Sequence, residues 1–191
     1  MGKKILSRGY FNRPALQVAP SLLGKYLVRK TDTGRLAGMI VEVEAYVGPH
    51  DLACHASKGR TKRTDVLFGS PGIAYVYLIY GMYYCLNVVT EREGFPAAVL
   101  FRAVEIESVI DHASDVQVAG PKLIDGPGRL CRFFQVDLHL NRWDMTIGES
   151  LWLEDRGKRI PASKITASPR IGVEYAGEWA AKPLRFRVKG Y

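Results

Sequence analysis

A chain of 191 residues, 47% of them hydrophobic, is long enough to bury a core and too apolar for disorder over most of its length. Lys and Arg outnumber Asp and Glu by 27 to 19, and the net charge of +8 favours a polyanionic partner, nucleic acid before a membrane surface. No stretch is long and apolar enough for a transmembrane helix, and the apolar stub after Lys4 is too short for a secretion signal, so a cytoplasmic site (nuclear in a eukaryote) is expected.

Residues 1–9 read as a loose basic tail. Residues 15–23 have the pattern of a short helix stopped by Gly24. Residues 25–30 and 38–46 read as strands joined through the turn signal Asp32-Thr33-Gly34, and Gly48-Pro49 ends the second. From His50 to Gly72 the chain is polar and basic, a long loop with one helical turn; such loops are often functional. Residues 73–79 and 83–89 form a hairpin bending at Tyr80-Gly81-Met82, and after a turn at 91–94 residues 97–104 make a further strand. Residues 104–124 are weakly patterned and lean helical. Asp125-Gly126-Pro127-Gly128 opens a helix with Leu130, Phe133 and Phe134 on its apolar face. One or two strands lie within 143–153, and a terminal strand alternates Leu184, Phe186 and Val188 with Arg185, Arg187 and Lys189. The sum is an α+β, sheet-rich single domain over 1–191: a curved, mostly antiparallel sheet with peripheral short helices and a protruding β-hairpin.

Strand alternation puts Glu42, Glu44 and Tyr46 on one face, opposite Met39, Val41, Val43 and Ala45. Carboxylates on so apolar a strand need partners, water or work. Arg102, in a row with Ala98, Leu100 and Val104, needs a carboxylate for the same reason, and Glu42 and Glu44 are its natural partners. The plain reading is a structural ion pair; the sharper one is that Glu44 and Arg102 hold a water molecule, the arginine lowering the pKa of the carboxylate so that it stays ionised as a general base. Five tyrosines fall within residues 75–84, which strand packing alone explains in part. Tyr80, at the hairpin tip, suits wedging between stacked bases. Tyr77 lines a pocket with Tyr46, and Asn87 offers an amide that inspects a base edge.

Lys58, Arg60, Lys62 and Arg63 put four cations into six residues, and Arg185 and Arg187 extend the same basic footprint; phosphate contact competes there with simple solvation. Cys54, His55 and His50 fit no common zinc spacing, and three scattered cysteines (Cys54, Cys85, Cys131) argue for a reducing compartment rather than a disulfide scaffold. No phosphate-loop, dinucleotide or HExxH motif is present. No metal or organic cofactor is expected, and no lysine is marked as a Schiff-base nucleophile.

The series Val41-Glu42-Val43-Glu44-Ala45-Tyr46, His55, Tyr75-Val76-Tyr77-Leu78-Ile79-Tyr80-Gly81-Met82-Tyr83, Asn87, Leu100-Phe101-Arg102-Ala103 and Gly172-Val173-Glu174-Tyr175-Ala176-Gly177-Glu178-Trp179 resembles the alkyladenine (3-methyladenine) DNA glycosylase family. The match runs in order from about Gly9 to the C-terminus, with shorter segments than vertebrate members at 104–124 and between His55 and Pro71. The resemblance implies a monofunctional enzyme that flips a damaged purine from double-stranded DNA and hydrolyses its N-glycosyl bond in base excision repair. It implies Glu44 as the group that activates water, with Arg102 helping to place it. Tyr46, His55 and Tyr77 become pocket walls, Tyr80 the intercalating residue, and Asn87 the group that refuses a guanine amino group. Ile171 and Gly172 offer backbone near the sugar or the water. A monomer suffices for that chemistry, and no membrane is involved. The competing class is a non-catalytic DNA- or RNA-binding module that stacks bases on a basic, aromatic sheet; it has no need of the Glu44–Arg102 pair.

Overall fold

The computed structural model describes the backbone at residues 3–111 and 122–191, and side chains in those ranges apart from 107–111. In chain order its elements are β1 (Lys4–Ile5), α1 (Arg8–Phe11), α2 (Ala15–Leu22), β2 (Tyr26–Lys30), β3 (Gly34–Tyr46), β4 (Ala74–Ile79), β5 (Tyr83–Thr90), β6 (Ala97–Asp111), β7 (Lys122–Asp125), α3 (Pro127–Phe133), β8 (Leu151–Asp155), β9 (Ile165–Ser168) and β10 (Arg185–Val188). The strands form one antiparallel sheet in the order β1-β8-β2-β3-β6-β5-β4, with β10 pairing β3, β9 pairing β10, and β7 pairing β6. A sheet-rich fold with short helices is therefore what the sequence pattern predicts, hairpin included.

Two expectations are corrected. From Lys3 onward the tail is not loose: β1 pairs β8, the Leu6 N–H donates to the Leu153 carbonyl, and the Leu6 side chain is buried in the main core. Residues 104–111 are not helical but continue β6, pairing β3 on one side and β7 on the other; residues 122–124 belong to β7, and 112–121 lie outside the described residues. The alternation Val104-Glu105-Ile106-Glu107 breaks at Ser108, where the ladder with β3 shifts register between Ala37 and Gly38. Of the one or two strands expected within 143–153, one is present, β8, which starts at Leu151.

Helix α2 buries Ala15, Val18, Ala19 and Leu22, the one-face spacing of a helix, and packs on β3 and β6. In β3 both faces are covered, so Met39, Ile40, Val41 and Val43 are all essentially inaccessible. The β3–β6 ladder shifts register between Ile40 and Glu42 and again between Glu42 and Val43. Such irregularities re-aim side chains. Here Glu42 and Glu44 of β3 and Arg102 of β6 meet over the sheet. Among the described residues no helix is long and apolar enough to cross a membrane.

Candidate active site

A cavity of about 690 Å³ opens where β4, β5 and β6 meet the start of α3 and the segment 171–175. Its lining includes Tyr46, His55, Tyr77, Tyr80, Asn87, Arg102, Ile171 and Gly172. Residues 127 positions apart in sequence are thus brought together: the Ile171 N–H donates to Glu44 Oε1 at 2.9 Å. Tyr46 donates its hydroxyl to Glu44 Oε2 at 3.0 Å, and Arg102 Nη1 lies 3.2 Å from Glu44 Oε1. Glu44 is completely buried and sits one layer behind the wall, covered by the three groups that hold it.

The carboxyl of Glu44 is expected from the sequence to titrate low. The structure reverses that sign: burial pushes its pKa above the ordinary range, and the Arg102 guanidinium, the Ile171 N–H and the Tyr46 hydroxyl pull it only part of the way back. Desolvation of a fully inaccessible carboxylate outweighs one shared guanidinium. Arg102 is shared because its Nε donates to Glu42 Oε1 at 2.9 Å.

On the opposite wall His55 Nδ1 lies 3.0 Å from the Tyr75 hydroxyl, and the imidazole meets the Tyr77 ring edge-on at 4.5 Å. Burial and the nearby Arg63 pull the His55 pKa down to about 4, so the ring is neutral at pH 7. The Arg63 guanidinium lies 5.3 Å from the Tyr77 ring centroid. The Tyr77 phenol is held protonated, its pKa raised by burial. Asn87 is buried and donates through Nδ2 to the Tyr75 carbonyl at 3.1 Å. Cys54, beside His55, points its thiol at the Pro96 carbonyl.

The hairpin β4–β5 carries Tyr80 at its tip, 81% exposed. Tyr80 (φ 53°) and Gly81 (φ 69°) are both left-handed, as primed hairpin turns require. A non-glycine residue there bears strain, which such a turn retains at functional sites. All four loop cations are exposed; Arg60 pairs with Asp65 at 2.6 Å and Arg63 lies over the Tyr77 ring, which leaves Lys58 and Lys62 without an ion pair among the described residues. Arg185 and Arg187 turn inward to Glu42, at 3.3 and 2.8 Å.

Several site residues escape sequence reasoning. Arg170 and Asp51 form a two-pronged pair (2.5 and 2.7 Å) with both side chains wholly buried. The guanidinium also donates to the Ala45 carbonyl at 2.9 Å and lies 4.7 Å from the Tyr46 ring centroid. The pair thereby ties the 171–173 segment to the end of β3. A lone arginine after Pro169 gives no signal for this, since its partner is 119 residues away. Arg129 and Arg132, exposed on α3 at the cavity rim, were likewise invisible until α3 was placed against β5. That approach is tight: a Cβ on Gly128 would meet Tyr83 at 3.1 Å.

A family model, described as methylpurine-DNA glycosylase, matches residues 9–191. A relative from Methanocella arvoryzae is 50% identical over 188 residues, covering 97% of this chain and 92% of its own. Relatives from Legionella pneumophila (strain Corby) and Myxococcus xanthus are each 48% identical, covering 96% of this chain and 94% and 90% of their own. All three carry a provisional name, 3-methyladenine DNA glycosylase. With a match over nearly its whole length, the chain belongs to the methylpurine-DNA glycosylase family.

Proposed function

We propose that this protein is a monofunctional DNA glycosylase that takes an alkylated or deaminated purine out of the duplex and hydrolyses its N-glycosyl bond, leaving an abasic site. The observation that carries this reading is a buried carboxylate held by three groups of an aromatic cavity wall, beside a hairpin with an exposed tyrosine. A base inside a stacked duplex is out of reach, so extrusion precedes chemistry and costs a few kcal/mol. Tyr80 offsets part of that cost by filling the gap. The flipped purine then lies between Tyr46 and Tyr77, where an N3- or N7-alkylated, cationic base gains roughly 0.5–2 kcal/mol from the ring faces. Asn87 meets the base edge.

In the reaction, water adds through oxygen to C1′, the C1′–N bond breaks, and its electron pair leaves with the purine. A cationic alkylpurine departs as a neutral base and needs no acid; a neutral deaminated purine departs as the anion and takes its proton from solvent. Glu44 accepts the proton from water, and its negative charge favours positive charge developing on the sugar. Arg102 orients the carboxylate. Access requires the Ile171 N–H to withdraw from Glu44, and Gly172, left-handed at φ 75° with open space around it, allows the segment to swing. Catalytic contacts of this kind commonly settle only in the substrate complex. Lys58, Lys62 and the rim arginines 129 and 132 supply phosphate contacts, and a single copy of the chain suffices.

The test is base release from a panel of duplexes, each carrying one 3-methyladenine, 7-methylguanine, ethenoadenine or hypoxanthine. The expected result is free purine, plus a strand that breaks only on later alkali treatment. Binding of every duplex with no purine released would leave a DNA-binding module; strand cleavage without alkali would mean a lyase.

A further inference from the structure

The second carboxylate of β3 has an environment that the reaction outlined above leaves unused. Glu42 is 1% exposed and receives three guanidinium groups. Arg102 Nε (2.9 Å) and Arg185 Nη1 (3.3 Å) converge on Oε1, and Arg187 Nη1 (2.8 Å) lies on Oε2. The register explains why: β10 places Arg187 opposite Glu42 and Arg185 opposite Glu44. Both arginines have further partners as well. Arg185 Nε serves Ser168 Oγ (3.1 Å) and the Pro169 carbonyl (3.0 Å). Arg187 Nε serves the Tyr191 carbonyl (2.7 Å), and its Nη2 reaches Asp125 (3.4 Å). A phosphate-binding strand would instead aim these Nη1 groups outward.

We infer that Glu42, Arg185 and Arg187 are positioning residues for the glycosylase reaction: they hold Arg102 against Glu44 and keep its charge available there. This rests on the reading of Glu44 as the base. Arg102 bridges the two carboxylates, Nε to Glu42 and Nη1 to Glu44. Alone, one guanidinium between two buried carboxylates carries a charge of +1 − 2 = −1, and such a pair takes up a proton. Arg185 and Arg187 change the sum to +3 − 2 = +1, and the half-exposed Asp125 brings it to 0. The charge of Glu42 is then balanced by β10, through an ion pair without a hydrogen bond at Oε2, and Arg102 serves Glu44.

The other groups facing Glu44 leave this balance in place. Tyr46 on its own strand, Tyr77 on β4 and Cys85 on β5 all have pKa values raised by burial and are uncharged near neutrality. Arg170 beyond Tyr46 is neutralised by Asp51. The Ile171 N–H does not titrate.

The arrangement predicts opposite shifts from neighbouring substitutions, which loss of structure would not give. Single-turnover excision is followed over about pH 5 to 9, where the acid limb reports ionisation of the base. Arg187→Gln is expected to move that limb up by at least about half a unit, slowing excision about threefold on the limb while the plateau at high pH is kept. Arg187→Lys keeps the charge and returns the limb toward its place. Glu42→Gln moves the limb down, since a negative charge is removed from beside Arg102. The salt slope of duplex binding is unchanged in Arg187→Gln, whereas a phosphate contact would lower it by about 0.9. A slope reduced by that amount with an unmoved limb overturns the inference, as do shifts of the same sign in Arg187→Gln and Glu42→Gln. The control is Glu44→Gln: if it excises like the wild type, the base assignment has failed; if it is inactive and the limb ignores Glu42 and Arg187, only the positioning role has failed.

Discussion

Removing the charge of Asp51 tests how the site is held together. Arg170 and Asp51 are both inaccessible, with two short charge-assisted contacts between them. Breaking one partner of such a pair leaves an uncompensated buried charge and costs about 3–5 kcal/mol. Asp51→Asn keeps an acceptor oxygen, and Arg170 keeps the Ala45 carbonyl and the Tyr46 ring, so the low end applies, about 3 kcal/mol. In a chain of this length each kcal/mol lowers Tm by about 2–4 °C, so a fall of about 6–12 °C is expected. Asp51→Ala should approach about 5 kcal/mol. The double replacement Asp51→Leu with Arg170→Met should recover much of the loss, because an apolar pair of similar volume avoids the desolvation cost. The assay is urea unfolding of the wild type and the three variants, with the single replacements Asp51→Leu and Arg170→Met added to close a double-mutant cycle. A loss below about 1 kcal/mol for Asp51→Asn, within the range of an exposed pair, would refute the reasoning.

Tyr80→Gly should raise stability by about 0.5–1 kcal/mol, since glycine relieves the left-handed backbone, yet weaken lesion-duplex binding by about 1–3 kcal/mol through lost stacking. Equal or tighter binding would remove the wedge. Exchanging Lys58 and Lys62 for Gln together should lower the salt slope of duplex binding by about 1.8, as two lost phosphate contacts require; an unaltered slope would place these lysines in solvent only. His55 titrates at about 4 when folded against an ordinary 6.5, so the unfolded chain takes up its proton first as pH falls. Its share of stability is complete above pH 6.5 and declines down to about pH 4, by on the order of 3 kcal/mol. Unfolding free energies of His55→Gln should lack that portion of the slope, and identical pH profiles would contradict the burial of a neutral imidazole.

How much was legible in the sequence depended on whether the signal was local. The hairpin around Tyr80-Gly81 and the helix opening at Pro127 announce themselves through turn and cap chemistry within a few residues. The meeting of Arg102 with Glu42 and Glu44 followed from charge on apolar strands, because buried charges must find one another. The Asp51–Arg170 pair did not follow, since neither residue sits on a patterned strand. The direction of the Glu44 shift was misjudged because composition shows the nearby arginine but not the depth of burial. The strand beyond Val104 is hidden by a break in alternation at Ser108, opposite a register shift in β3, and the inward turn of Arg185 and Arg187 by an alternation that resembles a solvated basic face.

The central claim, that Glu44 takes the proton from the attacking water, is tested most directly by single-turnover release of base from a duplex carrying one alkylated purine. Glu44→Gln should bind an abasic-analogue duplex within about threefold of the wild type while excising about 10²- to 10⁴-fold more slowly, the contribution of a positioned general base. Excision at the wild-type rate by a correctly folded Glu44→Gln protein would contradict it.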